Sequence, residues 1–238
     1  MKELYNEIFT RKSTREFIQG ELDKDTLKKI GDFISTVEPL LAESKLTYKI
    51  VGANEVKGMM LPKAPHFLLI YGKEQPLRRA AAGYLGQHAE LFMYSIGLAT
   101  RWLGGVKPKI DDADFIIGIA FGKPAESASR ALNEFKRKSA AEIANTTDPR
   151  FDAVRLAPSG MNGQPWYFVK ESNAVHCYYK KSLGGLLGKL YKMTDLDIGI
   201  ALAHLHIASE HEKIPFNFNI KKEYPTAPKD FIYVGTAE

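Results

Sequence analysis

The sequence predicts an α+β fold made of two tandem half-units, residues 1–125 and 126–238, each with mixed or antiparallel strands and helices. Two observations carry this expectation. The order helix, two strands, long helix, strand occurs once in each half, although residue identity between the halves is low. Each half also contains one long segment that is apolar on two faces, the pattern of a helix buried between layers. The alternative is a single α+β domain in which the repetition is accidental.

Taken in order, residues 2–10 form a short helix with Leu4, Tyr5 and Ile8 on one face, followed by the basic loop Arg11-Lys12-Ser13-Thr14-Arg15. Asp23 is placed to cap a helix over 24–37, where Leu27, Ile30, Phe33, Ile34 and Val37 keep helical spacing. Strands are expected over 46–51 and 66–71, separated by a loop that carries Met59 and Met60. A long helix is expected over 77–103, with Leu85, Ala89, Phe92, Ile96, Ala99 and Leu103 in steps of four and three, and Gly104-Gly105 as its stop. A strand over 115–121 closes the first unit, and a polar connector over 125–135 leads to Lys136-Arg137-Lys138-Ser139. The second unit predicts a short helix over 149–157, strands over 166–170 and 175–179, a long helix over 194–213 and a last strand over 231–234.

With 238 residues, 45% hydrophobic and 26% charged, the chain is an ordinary folded globular protein. No stretch is long enough to span a bilayer, and the first residues lack the apolar core of a signal peptide. Cys177 is the only cysteine, so no intrachain disulfide can form and a reducing cytoplasm is the expected setting. The net charge of +5 comes from scattered lysines, which points away from nucleic acid and toward a solvated basic surface or an anionic cofactor.

One loop is richer in chemistry than its neighbours. The short helix before it stops at Pro158, which lacks an N–H, and Ser159, Gly160, Asn162, Gly163 and Gln164 follow before Pro165-Trp166-Tyr167-Phe168 enters a strand. So many donors, acceptors and small residues can close around a flat ligand with polar edges. A plain helix-to-strand turn explains the same composition.

The run Ala-Pro-Ser-x-x-Asn-x-Gln-Pro-Trp at 157–166 resembles the signature loop of the FMN-dependent nitroreductase family, and Arg11-x-Ser13-x-Arg15-x-Phe17 resembles its other hallmark. The segment 97–105, Gly-Leu-Ala-Thr-Arg-Trp-Leu-Gly-Gly, is similar to a third. In ordinary members each flavin lies between two subunits and takes one motif from each. Here the two motifs lie more than a hundred residues apart in one chain. The resemblance therefore implies a fused pseudo-dimer built around the two long helices, working as a monomer with one FMN. The symmetry-related site is expected to be lost, because 35–40 reads Ser-Thr-Val-Glu-Pro-Leu.

The resemblance implies the following roles. Arg11 and Ser13 contact the FMN phosphate and ribityl chain, Lys12 adds positive field, and Arg137 meets the same phosphate. Arg15 faces the pyrimidine edge, where a cation favours the reduced ring. Gly104 and Gly105 bring backbone close to N5, where a side chain would block stacking. Pro158, Ser159, Gly160 and Asn162 cover the ring from the second unit, and Gln164 binds the cofactor from the same loop. The implied activity is ping-pong hydride transfer from NADH or NADPH to a nitroaromatic or quinone, with no catalytic side chain and no metal. A flavin-storage protein with a degenerate redox role, or a basic interaction module without cofactor, are the alternatives. His204, His206 and His211 do not suit a shared metal, since helical residues two apart diverge by about 200°. The run Gly184-Gly185-Leu186-Leu187-Gly188-Lys189 is too short for a phosphate loop and is followed by Leu190 instead of Ser or Thr.

Overall fold

The computed structural model describes residues 4–181, 184–185, 193–226 and 228–238. The glycine-rich run from 186 onward lies outside the described residues. Chain order gives α1 (Tyr5–Ile8), α2 (Lys24–Thr36), β1 (Thr47–Gly52), β2 (Val56–Gly58), β3 (His66–Tyr71), α3 (Arg78–Ser95), β4 (Ala99–Leu103), β5 (Val106–Pro108) and β6 (Phe115–Gly122). There follow α4 (Ala140–Ile143), α5 (Arg150–Val154), β7 (Trp166–Glu171), β8 (Ala174–Lys180), α6 (Thr194–Glu212), β9 (Phe218–Asn219) and β10 (Phe231–Ala237).

Two four-stranded sheets form, in the orders β1-β3-β6-β4 and β7-β8-β10-β9, and both are antiparallel throughout. In chain order each sheet reads first, second, fourth, third, and in each the long helix follows the second strand. The helices α3 and α6 pack directly against each other, with both sheets around them, so their apolar double faces are buried as the pattern requires.

That packing is close because of two glycines. Gly83 and Gly199 are each the sixth residue of their helix. A β-carbon on Gly83 would meet the Leu196 carbonyl, and one on Gly199 would meet the Ala80 carbonyl. Ala80 and Leu196 are in turn each the third residue of their helix, so the contact is reciprocal. Such reciprocity is the mark of a two-fold contact between like surfaces.

The helix expected over 77–103 ends at Ser95. Gly97 takes a left-handed φ of +82°, its N–H bonds the Tyr94 carbonyl, and the Leu98 N–H bonds the Met93 carbonyl. This is a glycine-terminated C-cap, and it stops the helix seven residues before the expected Gly104-Gly105. Residues 99–103, with the β-branched Thr100 and the aromatic Trp102 among them, then pair with β6. Their apolar spacing fitted a helix by coincidence. Gly104 and Gly105 instead turn β4 into β5, so they are not a helix cap. Residues 52–65, expected as loop, contain β2, which pairs with β5; three residues are too few for a period-two signal. Met59 and Met60 are exposed, as expected of a loop tip.

Several polar groups buried near the long helices are paired. His204 donates from Nδ1 to the Ala153 carbonyl at 2.8 Å and accepts from Gln87, while His206 meets the Tyr84 hydroxyl at 2.6 Å. The two imidazoles thus serve separate partners. Asp148 and Arg150 form a buried bidentate ion pair at 2.8 and 2.9 Å, with Lys170 3.1 Å away. Burial alone would raise the Asp148 carboxyl, but bonds from Arg150 and Lys170 outweigh it and hold the group down at about 2. A carboxyl depressed on folding stabilises above its unfolded value of about 3.9 and loses that contribution as the pH falls through the folded one. Asp148→Asn is therefore expected to be less stable than wild type at neutral pH. Its deficit should shrink between about pH 4 and pH 2, which urea titrations over that range would measure.

Candidate functional site

A cleft of about 720 Å³ opens between the N-terminal basic loop, the β4–β5 turn, the 130–137 segment, the 158–162 loop and the first turns of α6. Its volume is that of a cofactor-sized pocket. At its base lies Arg11, only 2% exposed. Its Nη2 stands 3.5 Å from the fully buried Glu90, whose Oε1 also accepts from the Thr100 hydroxyl at 3.0 Å. Arg11 Nε and Nη1 have no hydrogen-bond partner among the described residues. Buried donors are rarely left unspent, so these two await an acceptor.

Further cations converge on it. Residues 128–130 pair back onto the basic loop, Lys12 N–H donating to Ala128 and Arg130 N–H to Thr10. This pairing sets the Arg130 guanidinium beside Arg11, with its Nε donating to the Arg11 carbonyl at 3.2 Å. Arg130 also lies 4.3 Å over the Phe135 ring. Burial, then repulsion from Arg11 and Arg130, brings Arg137 down to about 10. Burial and Arg11 likewise lower Arg130. Arg130 and Arg137, each destabilised as a cation by burial and by its neighbours, are held where an anion would relieve them. The Arg137 Nε is a further buried donor without a partner among the described residues.

The opposite wall is the 158–164 loop, and its backbone is unusual. Met161, Asn162 and Gln164 adopt left-handed φ values of 52°, 55° and 45°. Such conformations cost non-glycine residues about 1–3 kcal/mol each. Hydrogen bonds hold them in place. The buried Asp197 carboxylate accepts from Gly160 N–H at 3.0 Å. Ser159 Oγ accepts from Gln164 N–H at 2.9 Å. Asn162 donates to the Lys136 carbonyl at 2.8 Å and accepts from Arg137, so this loop also fixes the basic segment opposite.

Of the residues singled out from sequence, Arg11, Ser13, Gly104, Arg137, Pro158, Ser159, Gly160 and Asn162 line this one cleft. Four do not. Lys12 is half-exposed, its Nζ 3.9 Å from Glu126. Arg15 is exposed and does not line the cleft, and neither does Gly105. Gln164 is buried beneath the loop, accepting from Lys138 N–H at 2.7 Å and donating to the Asn162 carbonyl at 3.1 Å, so it holds the loop's shape. The sequence reading missed Arg130, Arg101, Met193 and Asp197, which also line the cleft. Arg130 sits in a connector without a motif. Asp197 reads in sequence as an ordinary first-turn acid that complements a helix dipole.

A family model described as "Putative TM nitroreductase" matches residues 3–209. Among solved structures the chain is similar to a "putative nitroreductase" from Thermotoga maritima MSB8, with TM-score 0.69 and 17% identity over 98% of this chain and 91% of that one. It is also similar to a nitroreductase family protein from Clostridium difficile 630, with TM-score 0.51 and 16% identity over 62% of this chain and 99% of that one. At such identities the likeness establishes the fold alone. No curated protein matches.

Proposed function

Because the chain belongs to the nitroreductase family described by that model, an oxidoreductase family, we propose that its cleft binds FMN and that the protein transfers hydride from NADH or NADPH to a flat acceptor. The observation that carries this reading is Arg11: a buried guanidinium with two unspent donors, facing Arg130 and Arg137 in a cofactor-sized cleft. That donor set suits a phosphate monoester. Arg11, Arg130 and Arg137 would hold the phosphate, with Ser13 as an added donor. Gly104, with open space around it, leaves a flat ring unobstructed. Pro158, Ser159 and Gly160 form the facing wall, and Leu196 and Ile200 supply apolar contact from α6. FMN bound there supplies the reversible two-electron chemistry, which needs no side-chain nucleophile and no metal; nitroaromatics and quinones are the expected acceptors.

The site also draws on both halves of the sequence. The basic loop and β4–β5 turn come from before residue 125, and the 130–137 and 158–162 segments and α6 from after it. The matching strand orders and the reciprocal Gly83/Gly199 contact support an internal duplication, in which residues 1–125 and 126–238 are the two half-units of a single-chain pseudo-dimer. On this reading the active form is a monomer. Among the described residues no helix is long and apolar enough to cross a membrane.

The test is spectroscopic. Purified protein supplemented with FMN and desalted should keep a flavin absorption band that bleaches anaerobically on adding NADH or NADPH. It should return when a nitroaromatic or quinone is added. Protein that retains no FMN would overturn the reading, and protein whose FMN is never reduced would leave a storage role.

A further inference from the structure

We propose that Arg101, with Arg15 beside it, forms a second anion-binding subsite at the edge of the cleft, which takes an anionic group of the second ligand. This inference rests on the FMN reading above. The pair is placed by the sheet. Ser13 bridges to Thr100, and Thr14 N–H donates to the Thr100 carbonyl at 3.0 Å, so the basic loop runs alongside β4. Within β4, Thr100 and Trp102 turn toward α3, where they donate to Glu90 and Gln87. Arg101 lies between them on the other face of the strand and, like Trp102, lines the cleft.

Neither guanidinium has a counter-charge from the protein. Among the described residues, the side chains of Arg101 and Arg15 form no hydrogen bond and no ion pair, whereas Arg11 has Glu90. Burial, then the Arg15 charge, destabilises the Arg101 cation. Two neighbouring cations without a counter-charge, one of them lining the cleft, are arranged to bind an anion. The FMN phosphate does not answer this need on the reading above, because Arg11, Arg130 and Arg137 are assigned to it. The ligand that reacts with the cofactor would bring such an anion. Its anion is either a phosphate of the nicotinamide dinucleotide or a carboxylate on the acceptor.

Arg101→Gln and Arg101→Lys, both loaded with FMN, distinguish the two sources. For the acceptor, kcat/KM for 4-nitrobenzoate is divided by that for the neutral 4-nitrobenzamide. For the reductant, kcat/KM for NADH and for NADPH is divided by that for N-benzyl-dihydronicotinamide, which carries no phosphate. Arg101→Gln is expected to lower one of these ratios about tenfold, the scale of one charge-assisted hydrogen bond, and Arg101→Lys to restore most of it. A fall in the first ratio assigns the subsite to the acceptor carboxylate, and a fall in the second assigns it to the reductant phosphate. Ratios unchanged in Arg101→Gln would overturn the proposal, as would loss of bound FMN in that variant, which would make Arg101 part of the cofactor site. Failure of the FMN reading itself shows separately, as wild-type protein that retains no FMN.

Discussion

Gly199→Ala is expected to destabilise the protein by more than about 3 kcal/mol, beyond the usual 1–3 kcal/mol of core overpacking, or to leave it insoluble. The added methyl would lie against main chain: 2.6 Å from the Ala80 carbonyl carbon and 2.8 Å from its α-carbon. A flexible side chain could swing aside, but here a whole helix must move. Since α3 carries Glu90 and α6 carries Asp197, separating the helices would also pull apart the two groups that hold Arg11 and the 158–164 loop. Gly83→Ala should behave alike, since its β-carbon would meet the Leu196 main chain. Gly105→Ala is the control. No atom lies within 4 Å of its added carbon, so its stability should stay within about 0.5 kcal/mol of wild type. Urea melts of the three variants check this, and a Gly199→Ala melt matching wild type would show that the helices do not cross as described.

Arg11→Met is expected to abolish FMN retention and to destabilise the protein by about 3–5 kcal/mol, the cost of leaving one partner of a buried ion pair alone. Here the abandoned charge is Glu90, fully buried, with Oε2 already lacking a partner among the described residues. The two effects separate in Arg11→Met/Glu90→Gln. Removing both charges should recover most of the stability, because the amide can still accept from Thr100. It should not recover the cofactor, because the unspent guanidinium donors are gone. A double variant that binds FMN like wild type would show that Arg11 serves only the fold.

Much of this site could be read from the sequence, and the rest was hidden for identifiable reasons. Arg11, Ser13, Arg137 and the 158–162 run stand in short local patterns, and the fold gathers them into one cleft. The strand His66–Tyr71 appears as an uninterrupted buried run and is observed with the expected limits. The end of α3 was obscured because Ile96, Ala99 and Leu103 continue a helical rhythm past Gly97, and only the backbone shows that this glycine turns left-handed. Arg130 was hidden for a different reason. Its importance comes from the pairing of residues 128–130 with 10–12, a contact across more than a hundred residues that no local spacing encodes. Gln164 carries the same motif as Asn162, yet it serves the loop's interior, since side-chain direction in a left-handed turn cannot be read from residue type.

The proposed arrangement is a single composite FMN site per chain, assembled from both halves of the sequence. Native mass spectrometry of the FMN-saturated protein tests it most directly, since it reports the oligomeric state and the flavin count together. The predicted species is one chain carrying one FMN, replaced by the bare chain in Arg11→Met/Glu90→Gln. Two FMN on one chain, or a stable dimer as the only flavin-bearing species, would contradict it.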